Sequence, residues 1–432
     1  MMSRLKNSLW IFAEKFISII GLVFVTSYVA KYVGPSTFGV ISLSMIVFQF
    51  VQSISMMGTD VTLLKRISEN EKSGIKLLFS AFLLISIIYL VVSALIVVVM
   101  QHKLGETDKI FLFASAIACY FSSIDLINIY NEAKIKAKIN VVCNLCGVIL
   151  GLLLRFVITH QHLQVTYLSI PIVITTLIPF VLKLLYFHKT TRIKFKPSKK
   201  ALKNYMAFTL SSGMAIIYSV IAVGIYTRLN QFSITFFMDV KFAGIFAVAL
   251  TLSNAWSFIP NAILSSLYPG FFAEKNQESL IEKFVFLHLV TILISLLIIM
   301  FIYLFSGFGI ELLYGKDYLL AEKPMLYLSF ATMFGVLSSI VDRFVIKHGG
   351  QKYIIKKSSF VLAFCFLSSV ILVPLYGMEG GALSVMLTEL FSCTIMNYFF
   401  KNKIIYISQI KLFDLNYLKK IIKRNFHEER NK

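Results

Sequence analysis

About twelve apolar runs, each close to twenty residues long, follow one another along this 432-residue chain, and they decide what it can fold into. A run of that length matches the hydrocarbon thickness of a bilayer when helical. Only helices and closed barrels satisfy their backbone polar groups inside lipid. The runs are predicted as helices over Leu9–Val29, Phe38–Met57, Leu77–Met100, Ile110–Tyr130, Val141–Thr159 and Tyr167–Phe187, then Tyr205–Phe237, Phe242–Ser266, Phe284–Phe305, Pro324–Ile346, Ser358–Val373 and Ala382–Phe400. Ser358–Val373 is short for a span. Tyr205–Phe237 is long for one, so a tilt or a bend near Gly213 or Gly224 is expected.

The charges between the runs orient them. About 31 of the 42 Lys and Arg fall in alternate gaps and the two tails, and about six in the other gaps. Gaps rich in Lys and Arg stay on the cytoplasmic side, which places both termini in the cytoplasm of the expected cell membrane. The net charge of +21 is accounted for in this way without nucleic acid as a partner. The expected inside loops are Lys65–Lys76, Asn131–Asn140, Lys189–Lys203, Ala273–Lys283 and Lys347–Lys357. The longest expected outside loop is Ser306–Lys323.

Lys189–Lys203 carries seven basic residues and no acid near the middle of the chain. It reads as a linker. The expected organisation is a six-helix bundle over 1–188, the linker at 189–204, a second six-helix bundle over 205–400 and a basic tail at 401–432. Phe38-Gly39-Val40 and Ala243-Gly244-Ile245 lie about 205 residues apart, each opening the second span of its half. An even number of spans per half relates the halves by a pseudo-two-fold along the membrane normal, an arrangement suited to alternating access. The fold class is an all-α integral membrane protein.

A charge at the centre of a membrane helix costs about 2.5–3.5 kcal/mol, so the few that interrupt the runs are the functional candidates. Glu14, Lys15 and Asp60 stand near a membrane face and can snorkel. Lys183 and Arg155 lie towards the ends of their spans. Arg228, followed by Asn230 and Gln231, lies deep in the seventh. Arg343 adjoins Asp342, and neighbours on a helix point about 100° apart, so they do not neutralise one another. The candidate binding set is Arg228, Arg343, Asn230, Gln231, Arg155 and Lys183. Asp125, Asp342 and Glu389 are candidates for charge pairing or coupling. A guanidinium in a hydrated cavity suits phosphate or carboxylate.

Nothing else in the chain reads as chemistry. Cys143 and Cys146 form a C-x-x-C without a second ligand pair, as core or lipid-facing cysteines do. His160 and His162 form H-x-H in a short loop and read as solvated. No nucleotide-binding motif is present, so neither an enzyme nor an ATP-driven pump is expected, and no metal or cofactor. The first run is too long for a cleavable signal. In the tail, Leu412, Leu415, Leu418, Ile421 and Ile422 recur at helical spacing among lysines, as in a helix on an anionic leaflet, or as in a plain basic tail.

Four segments carry a resemblance. Lys31-Tyr32-Val33-Gly34-Pro35-Ser36-Thr37-Phe38-Gly39, Tyr226-Thr227-Arg228-Leu229-Asn230-Gln231, Leu313-Tyr314-Gly315-Lys316-Asp317-Tyr318 and Val373-Pro374-Leu375-Tyr376-Gly377-Met378-Glu379-Gly380-Gly381-Ala382 occur in order along nearly the whole chain. Together the chain resembles the bacterial O-antigen flippases, within the multidrug/oligosaccharidyl-lipid/polysaccharide exporter group. Asn230 stands where the family pattern has an acid. The resemblance implies movement of an undecaprenyl-pyrophosphate-linked oligosaccharide from the inner to the outer leaflet of the inner membrane, next to a polysaccharide polymerase and a chain-length regulator. A multidrug or other lipid exporter, and a membrane-embedded polymerase or ligase, are the competing expectations.

Overall fold

The computed structural model describes the backbone of residues 2–102, 104–191, 204, 206, 207, 222, 224–274, 276–414, 416 and 417, and their side chains except at 2–20, 22, 61, 265, 266, 269, 270, 272, 273, 351 and 402. No strand occurs among the described residues. The helices are α1 (Met2–Met56), α2 (Thr59–Glu69), α3 (Glu71–Gln101), α4 (Glu106–Ile124), α5 (Leu126–Ala133), α6 (Ala137–His160) and α7 (Ser169–Thr190). Then come α8 (224–237), α9 (Val240–Ala255), α10 (Phe258–Ala273), α11 (Gln277–Tyr314), α12 (Glu322–Lys347), α13 (Gln351–Cys393), α14 (Ile395–Tyr398) and α15 (Ile404–Ile410). Among the described residues, nine helical stretches are long and apolar enough to cross a membrane.

Two of those stretches each carry a pair of the expected runs. Inside α1, Gly34 leaves helical geometry at φ 74°, ψ 168°, and Pro35 follows. A glycine tolerates the positive φ that stops a helix, and a proline, lacking the N–H that a first turn leaves unused, starts the next. Inside α13 the same interruption falls at Gly377, φ 57°, ψ −133°. Both breaks sit in the gaps read from the sequence between the first two and the last two runs. Of the seventh run, residues 206, 207, 222 and 224–237 are described; Gly224 is helical, and Gly213 lies outside the described residues.

Asn131–Asn140 is cut short by α5, which runs to Ala133, and α6, which begins at Ala137, and Ala273–Lys283 by α11, which begins at Gln277; three further expected loops are corrected as well. Lys65–Lys76 is largely helical: α2 runs to Glu69 and α3 begins at Glu71, with the Asn70 side chain accepting from the Ser73 N–H at 3.0 Å. In place of an outside loop at Ser306–Lys323, α11 continues to Tyr314, stops at Gly315 (φ 89°), and a 3-10 turn over Lys316–Ala321 leads into α12. Lys347–Lys357 is cut short by α13, which begins at Gln351. The physical reason is common to all of them. An apolar run marks where a helix meets lipid, but backbone hydrogen bonding carries the helix on through polar residues until a cap or glycine ends it.

Buried apolar residues are interspersed with buried polar ones, and the exposed surface is largely apolar. In α3, Ser80, Ser86, Tyr89 and Ser93 are buried, while Leu90, Val91, Leu95 and Val98 are exposed. In α11, His288, Thr291 and Ser295 are buried, and Leu297, Met300, Phe301 and Phe308 are exposed. Small polar residues allow close helix contact in lipid, and an apolar surface this extensive requires a hydrocarbon solvent. The chain is a multi-pass membrane protein.

The chain divides into two compact units, residues 1–228 with 240–244, and residues 229–239 with 245–432. In the first, α1 packs on α4 and α6, and α6 on α7. In the second, α12 packs against α11 and α13.

Candidate functional site

In the first unit, Asp125 stands where the chain breaks between α4 and α5, at φ −75°, ψ 56°. Lys183 of α7 turns inward, its side chain 2% exposed, and its Nζ donates to Asp125 Oδ2 at 2.6 Å and to Asn128 Oδ1 at 3.1 Å. An ammonium in a membrane interior is tolerated when paired in this way. A run of amides backs the pair: Asn140 Nδ2 donates to the Asn128 carbonyl at 2.8 Å, and Asn131 Nδ2 to Asn140 Oδ1 at 2.8 Å. The Lys183 ammonium is thus directed at a carboxylate rather than at the membrane surface.

The arginines are placed differently. Arg155 lies just over a turn from the end of α6, and Arg228 lies on α8 within electrostatic reach of the Cys119 thiol of α4. Neither has a carboxylate within 4.0 Å among the described residues. One turn before Arg228, a Cβ on Gly224 would lie 3.6 Å from the Phe50 ring, so the helix approaches the second half of α1 closely there.

In the second unit, Asn230 and Gln231 are buried. Asn230 Nδ2 faces Cys365 Sγ at 3.6 Å, and its Oδ1 has no hydrogen-bond partner among the described residues. Arg343 is exposed, its guanidinium carbon 4.1 Å from the centroid of the Tyr268 ring, a cation–π contact. Asp342 does not engage Arg343; its Oδ1 accepts from Lys357 Nζ at 2.7 Å. Lys357, placed by the sequence at the edge of a loop, is a buried residue of α13 with its side chain 4% exposed. The short Ser358–Val373 run was the signal for it, since a helix that must cross has to extend beyond sixteen apolar residues. Glu389 has no cation within 4.0 Å among the described residues.

The remaining candidates lie apart from these groups. His160 and His162 are exposed, with the His162 ring 5.8 Å from that of Tyr32. The five cysteines form no disulfide. No group of metal-ligating side chains occurs among the described residues. In the tail, Leu412 falls in a 3-10 turn over Lys411–Phe413, while Leu415, Leu418, Ile421 and Ile422 lie outside the described residues. Outside the spans, Glu274 holds the turn between α10 and α11. Its carboxylate accepts from Lys283 Nζ at 2.6 Å, the Asn276 N–H at 3.0 Å and Ser279 Oγ at 2.9 Å. Lys283 foremost, then the other two donors, hold the carboxyl down at about 2.

The family model for polysaccharide biosynthesis proteins matches residues 4–274, well over half of the chain. The chain belongs to the polysaccharide biosynthesis protein family. The matched segment carries Asp125, Arg155, Lys183, Arg228, Asn230 and Gln231; Asp342, Arg343, Lys357 and Glu389 lie beyond it. No curated protein matches the sequence. Among solved structures, this family member is similar to the lipid II flippase MurJ in an inward closed conformation, with 15% identity, TM-score 0.66, and coverage of 98% of this chain and 93% of that one. It is similar to a point mutant of the Vibrio cholerae MATE transporter VcmN, with 12% identity, TM-score 0.61, and coverage of 96% and 99%. An inward-facing multidrug resistance MATE transporter of the MOP superfamily shows 14% identity, TM-score 0.55, and coverage of 96% and 98%. The family member therefore has the fold shared by that flippase and those transporters.

Proposed function

We propose that the protein is a flippase that carries an undecaprenyl-pyrophosphate-linked oligosaccharide, such as an O-antigen repeat unit, from the inner to the outer leaflet of a bacterial cytoplasmic membrane. The observation that carries the proposal is a division among the charges within the spans. Lys183 and Lys357 are each neutralised by an aspartate, whereas Arg155, Arg228 and Arg343 have no carboxylate within 4.0 Å among the described residues. Guanidinium groups left without a counter-ion in spans are matched to an anionic group brought by the substrate. A pyrophosphate with sugars attached does not cross hydrocarbon unaided, because every unsatisfied polar group costs several kcal/mol. Cationic side chains in a hydrated cavity lower that barrier while the lipid tail remains in the bilayer.

In this proposal Arg228 is the first head-group contact and Arg343 the second, with Arg155, Asn230 and Gln231 as further lining groups. Asp125 holds Lys183 in place. The two halves, 1–188 and 205–400, act as six-helix bundles in alternating access, with both termini in the cytoplasm, alongside a polymerase and a chain-length regulator. The family match and the flippase fold support the proposal. Drug export is the competing reading, since multidrug transporters share the fold; the excess of unneutralised arginine weighs against a cationic cargo.

The test is Arg228→Ala in the producing cell. Surface polysaccharide is expected to be lost with the amount of membrane-inserted protein unchanged. Normal surface polysaccharide in that variant would overturn the assignment.

A further inference from the structure

Gly335, Ser338 and Asp342 recur on α12 at steps of three and four residues and so share one face. Against this face α13 brings Lys357 from its first segment, and Glu389 and Ser392 from its second. Lys357 Nζ donates to Asp342 Oδ1 at 2.7 Å and to Ser338 Oγ at 3.1 Å. Ser338 Oγ and Ser392 Oγ share a hydrogen bond of 3.1 Å. Glu389, three residues before Ser392 and so on the same face of its helix, packs at Gly335, where a Cβ would sit 3.6 Å from Glu389 Oε2. Ser338, Lys357 and Ser392 are all buried. The polar ladder runs over seven residue steps of α12, about 10 Å at the helical rise, from the interior of the span to its end near Lys347.

The charges on this ladder do not balance. It holds two carboxylates and one ammonium, and the ammonium is engaged by Asp342. The titratable groups facing Glu389 from α12 and α13 are Asp342, Lys357, Cys365 and Cys393. Among the described residues none of them supplies a second cation. An ionised carboxylate inside a span without a counter-ion is costly. A metal ion is a poor remedy, because it requires several oxygen ligands and no group of three or more metal-ligating side chains occurs among the described residues. A proton neutralises the carboxylate with no further ligand.

We propose that Glu389 is a proton-binding site, served from the Asp342 end of the ladder by the chain Lys357–Ser338–Ser392. On uptake, the Glu389 carboxylate becomes a neutral carboxyl. Lys357 hands a proton to Ser338, Ser338 passes its own hydrogen to Ser392, and Ser392 passes its own to the Glu389 carboxylate one helical turn away; Lys357 takes its replacement proton from the aqueous phase beside the part-exposed Asp342. The net change is one proton gained by Glu389 and one charge removed from the interior. Use of that proton to drive export rests on the flippase proposal above; proton binding itself does not.

The test uses the purified full-length protein in vesicles of phosphatidylethanolamine and phosphatidylglycerol, followed by infrared difference spectroscopy on changing pH. A protonated-carboxyl band is expected at neutral pH in the wild type and lost in Glu389→Gln. In Ser392→Ala, which removes one hydroxyl, the band is expected to remain while its response to a pH jump slows. A band that persists unchanged in Glu389→Gln would overturn the site, and a Ser392→Ala response as fast as wild type would overturn the route. No transported lipid is needed, so a failed infrared result and a failed polysaccharide assay are separable.

Discussion

Gly39 and Gly244 meet backbone to backbone within the first unit. A Cβ on Gly39 would fall 2.2 Å from the Val240 carbonyl oxygen, and one on Gly244 would fall 2.1 Å from that of Pro35. Neither obstacle is a flexible side chain, so the contact exists only because both residues lack a Cβ.

Gly39→Ala is therefore expected to force the two segments apart, at a cost of about 1–3 kcal/mol or more, as for overpacking elsewhere. Gly309, which has open space around it in α11, is the control. Gly309→Ala is expected to stabilise by about 0.5–1 kcal/mol through helix propensity alone. Thermal unfolding of the purified protein in detergent separates the two, and equal melting of Gly39→Ala and wild type would show that the close approach is dispensable.

Breaking the Asp125–Lys183 pair leaves a buried charge behind. Lys183→Met and Asp125→Asn are each expected to lower stability by about 3–5 kcal/mol, the usual cost of removing one partner. The double variant is expected to recover much of that loss, since no charge is left stranded. A double-mutant cycle in chemical denaturation checks this; additive losses would show that the two side chains act independently.

The α10–α11 turn is expected to weaken in acid. Glu274 is held below its ordinary value of 4.5, at about 2, by Lys283, Asn276 and Ser279. A carboxyl depressed in the folded state contributes stability that is complete above the unfolded value and is lost as pH falls through the folded one. Opening of residues 274–283 should therefore rise between about pH 4.5 and pH 2 in the wild type and be independent of pH in Glu274→Gln. Hydrogen exchange, corrected for its intrinsic pH dependence, measures it.

The orientation has its own test. With the five native cysteines replaced by serine, His162→Cys is expected to react with a membrane-impermeant thiol reagent added to intact cells. Lys65→Cys, in an exposed position on α2, is expected to react only after permeabilisation. The reverse pattern would invert the assignment from the distribution of Lys and Arg.

Much of the architecture was legible in the sequence for a local reason. Gly34-Pro35 and Gly377 interrupt their helices because of their own backbone chemistry, which no neighbour has to supply. The extent of the helices was less legible, as Lys65–Lys76 and Lys347–Lys357 show, because apolar character reports contact with lipid and not the end of hydrogen bonding. The candidate charges were legible as exceptions, but their partners were not. Asp125 and Lys183 lie 58 residues apart, and Asp342 chooses Lys357, 15 residues on, over its neighbour Arg343.

The sequence by itself determined that this chain is helical and membrane-spanning, where its helices fall in order, and which few charges would be expensive within them. Those properties follow from windows of about twenty residues and their transfer from water to lipid. Only the tertiary structure decided which of the expensive charges are already neutralised. That depends on which helix faces meet, and a lysine and an aspartate on different helices cannot signal their pairing through any local pattern. Lys183 and Lys357 were thereby assigned to aspartates, Arg155, Arg228 and Arg343 were left without a carboxylate partner among the described residues, and Glu389 was set, half-buried, at the end of a polar ladder.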